Sequence, residues 1–163
     1  MASPAKIANH PIHPMLVVFP LGLLDYSLVC DLIYIFGWGG EIWRHVAFYT
    51  MAGGIIGALV AAVPGLLDYI SVSRPRVKQL GTTHMLINLS AVAIFILDFW
   101  LRTRNVPVAR QPVILSVIGV ILLCISGWLG GEMVYVHGQA VTPQSDATSI
   151  GRQPQGGELK RVA

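Results

Sequence analysis

The chain has 163 residues, of which 54% are hydrophobic and 12% charged, with a formal net charge of +3. A soluble domain of this length carries charge on about a quarter of its residues, so the composition points to a single domain with the bilayer as its solvent. The small basic excess sits in loops that flank apolar runs and makes no case for nucleic acid. Cys30 and Cys124 lie inside apolar runs, without metal-type spacing or a haem-attachment signature.

A polar lead-in over 1–13 opens the chain and contains Asn9-His10-Pro11-Ile12-His13-Pro14. A residue before proline is pushed out of the α region. His10 and His13 are therefore expected in an extended, stiffened strap that crosses the end of a bundle and aims imidazoles inward. The first apolar run, about 14–36, is too long and too interrupted by Asp25 and Asp31 for a cleavable signal peptide, so it is expected to remain as a membrane helix.

About 20 apolar residues at 1.5 Å each cross the hydrocarbon core of a bilayer, and three further runs qualify, at about 43–70, 82–101 and 112–136. Pro14 and Pro112 suit first helical positions, where a missing N–H costs nothing. The connections are rich in glycine (37–42) or basic (71–78 and 102–110). Short loops between consecutive helices predict an all-α, polytopic, up-down-up-down four-helix transmembrane bundle over 14–137. Residues 138–163 are rich in Gly, Gln, Pro and Ser and read as a polar tail with little to bury.

In the second run Gly53, Gly57, Ala61 and Gly65 recur every fourth residue, with Gly54, Ala58 and Ala62 alongside. Such ridges let helix backbones approach closely in lipid; they pack a neighbouring helix or leave room for a flat cofactor. Two pairs of near-repeats, Pro20–Tyr26 with Pro64–Tyr69 and 37–45 with 127–137, fit chance in an apolar alphabet better than an inverted repeat.

Counting crossings places His10, His13, His84 and His137 at one end of the bundle with Asp68 and Glu132, and His45 at the other. His84 falls inside a span, where an ionisable group is costly and usually functional. Asp25 lies roughly 18 Å beyond His13 at 1.5 Å per residue, near mid-bilayer, and is expected to face the bundle interior. Asp31 and Asp98 lie towards the opposite end, where Arg102 or Arg44 can pair with them.

At "HPIHPMLVVFPLGLLDY", "PGLLDY", "HMLINL" and "GWLGGEMVYVHG" the chain resembles the bacterial domain-of-unknown-function 2231 family of small four-helix membrane proteins, over about residues 9–140. That resemblance implies the inner membrane of a bacterium. It singles out His10, His13, His84 and His137, with Asp68 and Glu132 beside them. Some relatives are joined to iron–sulfur domains, which implies redox work and an iron–sulfur protein as a partner.

Three functions are compatible with these residues. The first is a b-type haem protein that passes electrons, its iron held by two histidines from different helices; His84 with His137 or His13 is the favoured pair. Arg74, Arg76 and Lys78 would then meet the propionates. The second is a non-haem iron, copper or zinc site using the same histidines as metal ligands with the two carboxylates. The third is an accessory or structural subunit of a larger membrane complex. No residue stands out as catalytic, and a homo-oligomer or a redox partner protein is compatible with each reading.

Overall fold

A computed structural model describes residues 4–8, 10–104 and 113–139. The polar tail beyond residue 139, and the predicted start of the fourth helix at Pro112, therefore lie outside the described residues. The order of elements is β1 (Lys6–Ile7), β2 (His10–Pro11), α1 (Ile12–Leu16), α2 (Val18–Ile35), α3 (Ile42–Ser71), α4 (Pro75–Thr103) and α5 (Val113–Gly131), the last continued by a π-helical turn over Glu132–Val136.

Among the described residues, four stretches are long and apolar enough to cross a membrane: Ile12–Ile35, Ile42–Ser71, Pro75–Thr103 and Val113–Val136. The third starts earlier than the apolar run suggests. Pro75 is its first helical residue, so the basic segment Arg76–Lys78 is helix rather than loop. Proline's fixed φ favours that start, and charged residues at a helix end reach water as easily as those of a loop.

The lead-in is ordered in part as expected. Lys6 pairs with Pro11 and Ile7 with His10 in a two-residue antiparallel ladder, and the Ile12 N–H donates to the Ala5 carbonyl at 2.9 Å. His13, however, lies in the first turn of α1 and not in an extended strap, because Ile12 already opens the helix. The short break at Val17 between α1 and α2 falls where Pro20 supplies no N–H for the Leu16 carbonyl.

Within each hairpin the helices run antiparallel. Leu24 packs on Gly54, Pro20 on Gly57 and His13 on Gly65, while Phe95 packs on Gly119 and His84 on Gly130. The glycine ridge of α3 thus packs against side chains of α1 and α2. Leu24, Met51, Ile55, Ala91, Phe95 and Leu123 form the shared core. In an apolar solvent this contact, rather than water exclusion, holds the helices together.

The end away from the His84 region is fixed by charge. The Arg102 guanidinium donates to both carboxylate oxygens of Asp31, at 2.8 and 2.7 Å, and to Asp98 Oδ1 at 2.8 Å. The Ser116 hydroxyl donates to Asp98 at 2.6 Å. All three charged side chains are at most 2% exposed, and the cluster ties α2, α4 and α5 together. Of the two pairings open in the sequence, Arg102 takes both aspartates. Arg44 instead pairs with Glu41 at 2.9 Å. A hydrogen bond from Tyr34, with the nearby Arg44, holds the Glu41 carboxyl below its ordinary range.

Candidate functional site

His84 stands two to three turns into α4 and is half-buried. Its Nδ1 lies 2.9 Å from the Ser126 carbonyl and 2.8 Å from the Ser126 hydroxyl, on α5. A carbonyl can only accept, so Nδ1 carries the proton and Nε2 is the bare nitrogen. The Asn88 amide, one turn on along α4, donates to that Nε2 at 3.1 Å and to the Ser126 hydroxyl at 2.6 Å. The ring lies against Gly130, where an added Cβ would come within 3.3 Å of Cε1.

His13 is held in the same manner. Its Nδ1 donates to the Ala61 carbonyl of α3 at 2.9 Å, and its ring lies against Gly65, where an added Cβ would come within 2.7 Å of Cε1. Pro64, inside α3, has no N–H for the Val60 carbonyl, so the helix ladder is already interrupted beside the carbonyl that His13 takes. His13 and His84, one from each hairpin, thus both lie at the end of the bundle away from Arg102, each bonded to the main chain of the neighbouring helix.

The other sequence candidates are placed differently. His10 is exposed and bonds back to the Ala8 carbonyl at 2.8 Å, two residues away. His137 follows the π-helical turn; its Nε2 is 3.9 Å from Glu132, too far for a hydrogen bond, and is buried without one among the described residues. Its carbonyl accepts from Arg74 at 2.8 Å. Lys78 donates to the Tyr69 carbonyl at 2.6 Å and lies 3.7 Å from the centre of the Tyr69 ring. These two cations therefore tie the α3–α4 turn to its surroundings. Asp68 is half-buried near the end of α3. Neither Asp68 nor Glu132 orients His84, because Ser126 does.

Among the described residues no three His, Cys, Asp or Glu side chains are placed to share one metal ion. Asp25 is exposed on the outer face of α2 and does not point inward. The inward stripe of that helix is Leu24, Ser27 and Asp31, and a residue one position from Leu24 is turned by about 100°.

The family of predicted membrane proteins known as DUF2231 matches residues 9–143. The chain belongs to that family. The match takes in both hairpins and every histidine described above. No curated protein and no solved structure matches the chain.

Sequence reasoning missed four groups in the site: Ala61, Asn88, Ser126 and Gly130. The carbonyls of Ala61 and Ser126 leave no trace in a sequence, since every residue has one. Asn88 did leave one: a polar amide four residues from His84 lies on the same helix face.

Proposed function

We propose that this DUF2231 chain is a membrane-embedded, b-type haem protein that carries electrons, with His13 and His84 as the residues that hold the haem. The observation that carries this reading is the state of the two imidazoles. Each is anchored through Nδ1–H to a main-chain carbonyl of the neighbouring helix, which leaves Nε2 as the nitrogen to meet a metal and fixes the ring that carries it. Two such donors suit haem, which brings four nitrogens of its own. A non-haem ion would draw three or more ligands from the protein, and no such group is formed among the described residues.

Haem bound here would supply a one-electron iron couple. The protein's own part is to hold and orient. Ala61 and Ser126 fix the tautomer and the ring planes; Gly65 and Gly130 let the rings lie on the backbone. Asn88 holds Nε2 of His84 at 3.1 Å and must swing away to release that nitrogen. A carrier this small needs a redox partner in the membrane or at its surface, with an iron–sulfur protein as the class of partner and the bacterial inner membrane as the setting.

One observation favours a second reading. His84, Asn88 and Ser126 satisfy one another's hydrogen bonds, as a purely structural polar network would, and that suits an accessory subunit of a larger membrane complex. Purification from a haem-sufficient host separates the two. A Soret band with sharp α and β bands on reduction supports the first reading, and a colourless protein that co-purifies with other subunits supports the second.

A further inference from the structure

The two histidine contacts described above share more than their chemistry. His13 donates to Ala61 and lies on Gly65, four residues further along α3; His84 donates to Ser126 and lies on Gly130, four residues further along α5. Eleven residues after His13 comes Leu24, and eleven after His84 comes Phe95. Leu24 packs on Gly54, and Phe95 packs on Gly119 with the same close approach, an added Cβ at either glycine falling 2.6 Å from the neighbouring side chain. Gly54 and Gly119 each precede the histidine-bearing glycine by eleven residues. Eleven residues is about three helical turns, so the spacing alone could arise in any packed pair. Periodicity does not dictate that both pairs use an Nδ1–carbonyl bond with the ring against a glycine one turn on.

The correspondence continues to the far end. Eighteen residues beyond His13 is Asp31, and eighteen beyond His84 is Arg102; these two residues bind each other. Positions that correspond between two copies and also touch must lie on the symmetry axis. Leu24 and Phe95 belong to one core cluster, so two corresponding pairs, at the centre and at the far end, mark one line through the bundle, and His13 and His84 hold equivalent places on either side of it. The helix neighbours agree: α3 packs on α4 as α5 packs on α2. Both histidines occupy the same end, so the axis runs along the bundle and the repeat is parallel. It is neither of the near-repeats that the sequence displays.

We propose that the chain is a tandem duplication of one helical hairpin and that the haem site sits on the axis between the copies, with His13 and His84 as equivalent axial ligands that leave the iron no open position. This rests on the haem reading and narrows it. Such a site exchanges electrons and does not bind small gases. Asn88 is the departure from symmetry, since the corresponding position four residues beyond His13 is Val17.

The test uses the full-length protein purified with its haem. Wild type, reduced with dithionite and exposed to carbon monoxide, should show no spectral change, and its ferric form should give a low-spin electron paramagnetic resonance signal. His13→Gly and His84→Gly should each give a high-spin, carbon monoxide-reactive haem, and added imidazole should restore the wild-type spectrum to both. Haem in wild type that binds carbon monoxide overturns the symmetric site and leaves the haem reading standing. So does a change confined to one of the two variants, or a His137→Gly variant that behaves like them. A wild type without haem overturns both.

Discussion

Replacing Arg102 with Met should be among the most damaging single changes to the fold. The guanidinium donates twice to Asp31, at 2.8 and 2.7 Å, twice to Asp98, at 2.8 and 3.3 Å, and once to Ser116, at 3.1 Å. Methionine keeps the stem and removes every donor. Two carboxylates that are at most 2% exposed then face each other without a cation. Breaking a buried ion pair by removing one partner costs about 3–5 kcal/mol, which is on the order of a hundredfold to a few thousandfold in the folding equilibrium. Unfolding by sodium dodecyl sulfate in mixed micelles, followed by tryptophan fluorescence, should show the Arg102→Met midpoint at a clearly lower detergent fraction. Asp31→Asn should fall between, because Arg102 keeps Asp98. Removing all three charges together, as Asp31→Leu, Asp98→Ala and Arg102→Met, should recover most of the loss, since the desolvation cost vanishes with the charges. An Arg102→Met protein that unfolds at the wild-type detergent fraction would refute the clamp.

Other expectations are read with simpler assays. In a background with Cys30 and Cys124 replaced by Ser, Gly40→Cys and Arg76→Cys should react with an impermeant maleimide from opposite faces; labelling from one face would rule out an up-down-up-down path. Gly65→Ala places a Cβ within 2.7 Å of the His13 ring and should cost about 1–3 kcal/mol as the ring is displaced, whereas Gly22→Ala, with nothing within 4 Å, should be neutral or slightly stabilising; equal effects would place His13 elsewhere. Asn88→Leu should leave haem content unchanged or higher if His84 is a ligand, and a colourless Asn88→Leu protein would argue for the structural network. The haem should be lost as pH falls, because the ligand is the neutral imidazole and acid converts it to the cation; a Soret band that persists undiminished through acid titration until the protein unfolds would count against histidine ligation.

The membrane spans were legible because length and hydropathy alone specify them, and only their polar edges moved. The α4 start was misjudged where charge was taken for loop, although Pro75 marked the helix. The direction a side chain takes from a helix is harder to read from an apolar sequence than its place along the helix. Asp25 faces outward rather than into the bundle, since one residue turns a helix by about 100° and the apolar sequence around it gives no contrast between faces. The partner of Asp31 and Asp98 was narrowed to two arginines by distance along the chain. His84 was conspicuous as an imidazole inside a span, and the ridge of α3 contained both Ala61 and Gly65. Their connection to His13 was hidden because it runs through a backbone carbonyl. The likeness of the two hairpins was hidden for a related reason: it resides in which residues touch, while the side chains at most corresponding positions differ.

Whether the paired histidines hold haem is read most directly from haem per chain, by pyridine haemochrome, in wild type, His84→Ala and His45→Ala purified side by side. His45 is exposed at the opposite end, beside Arg44. Wild type and His45→Ala should carry haem at the same stoichiometry, and His84→Ala should show a large loss or a changed spectrum. Full haem content with an unaltered spectrum in His84→Ala, or no haem in any of the three, would contradict haem ligation by His84.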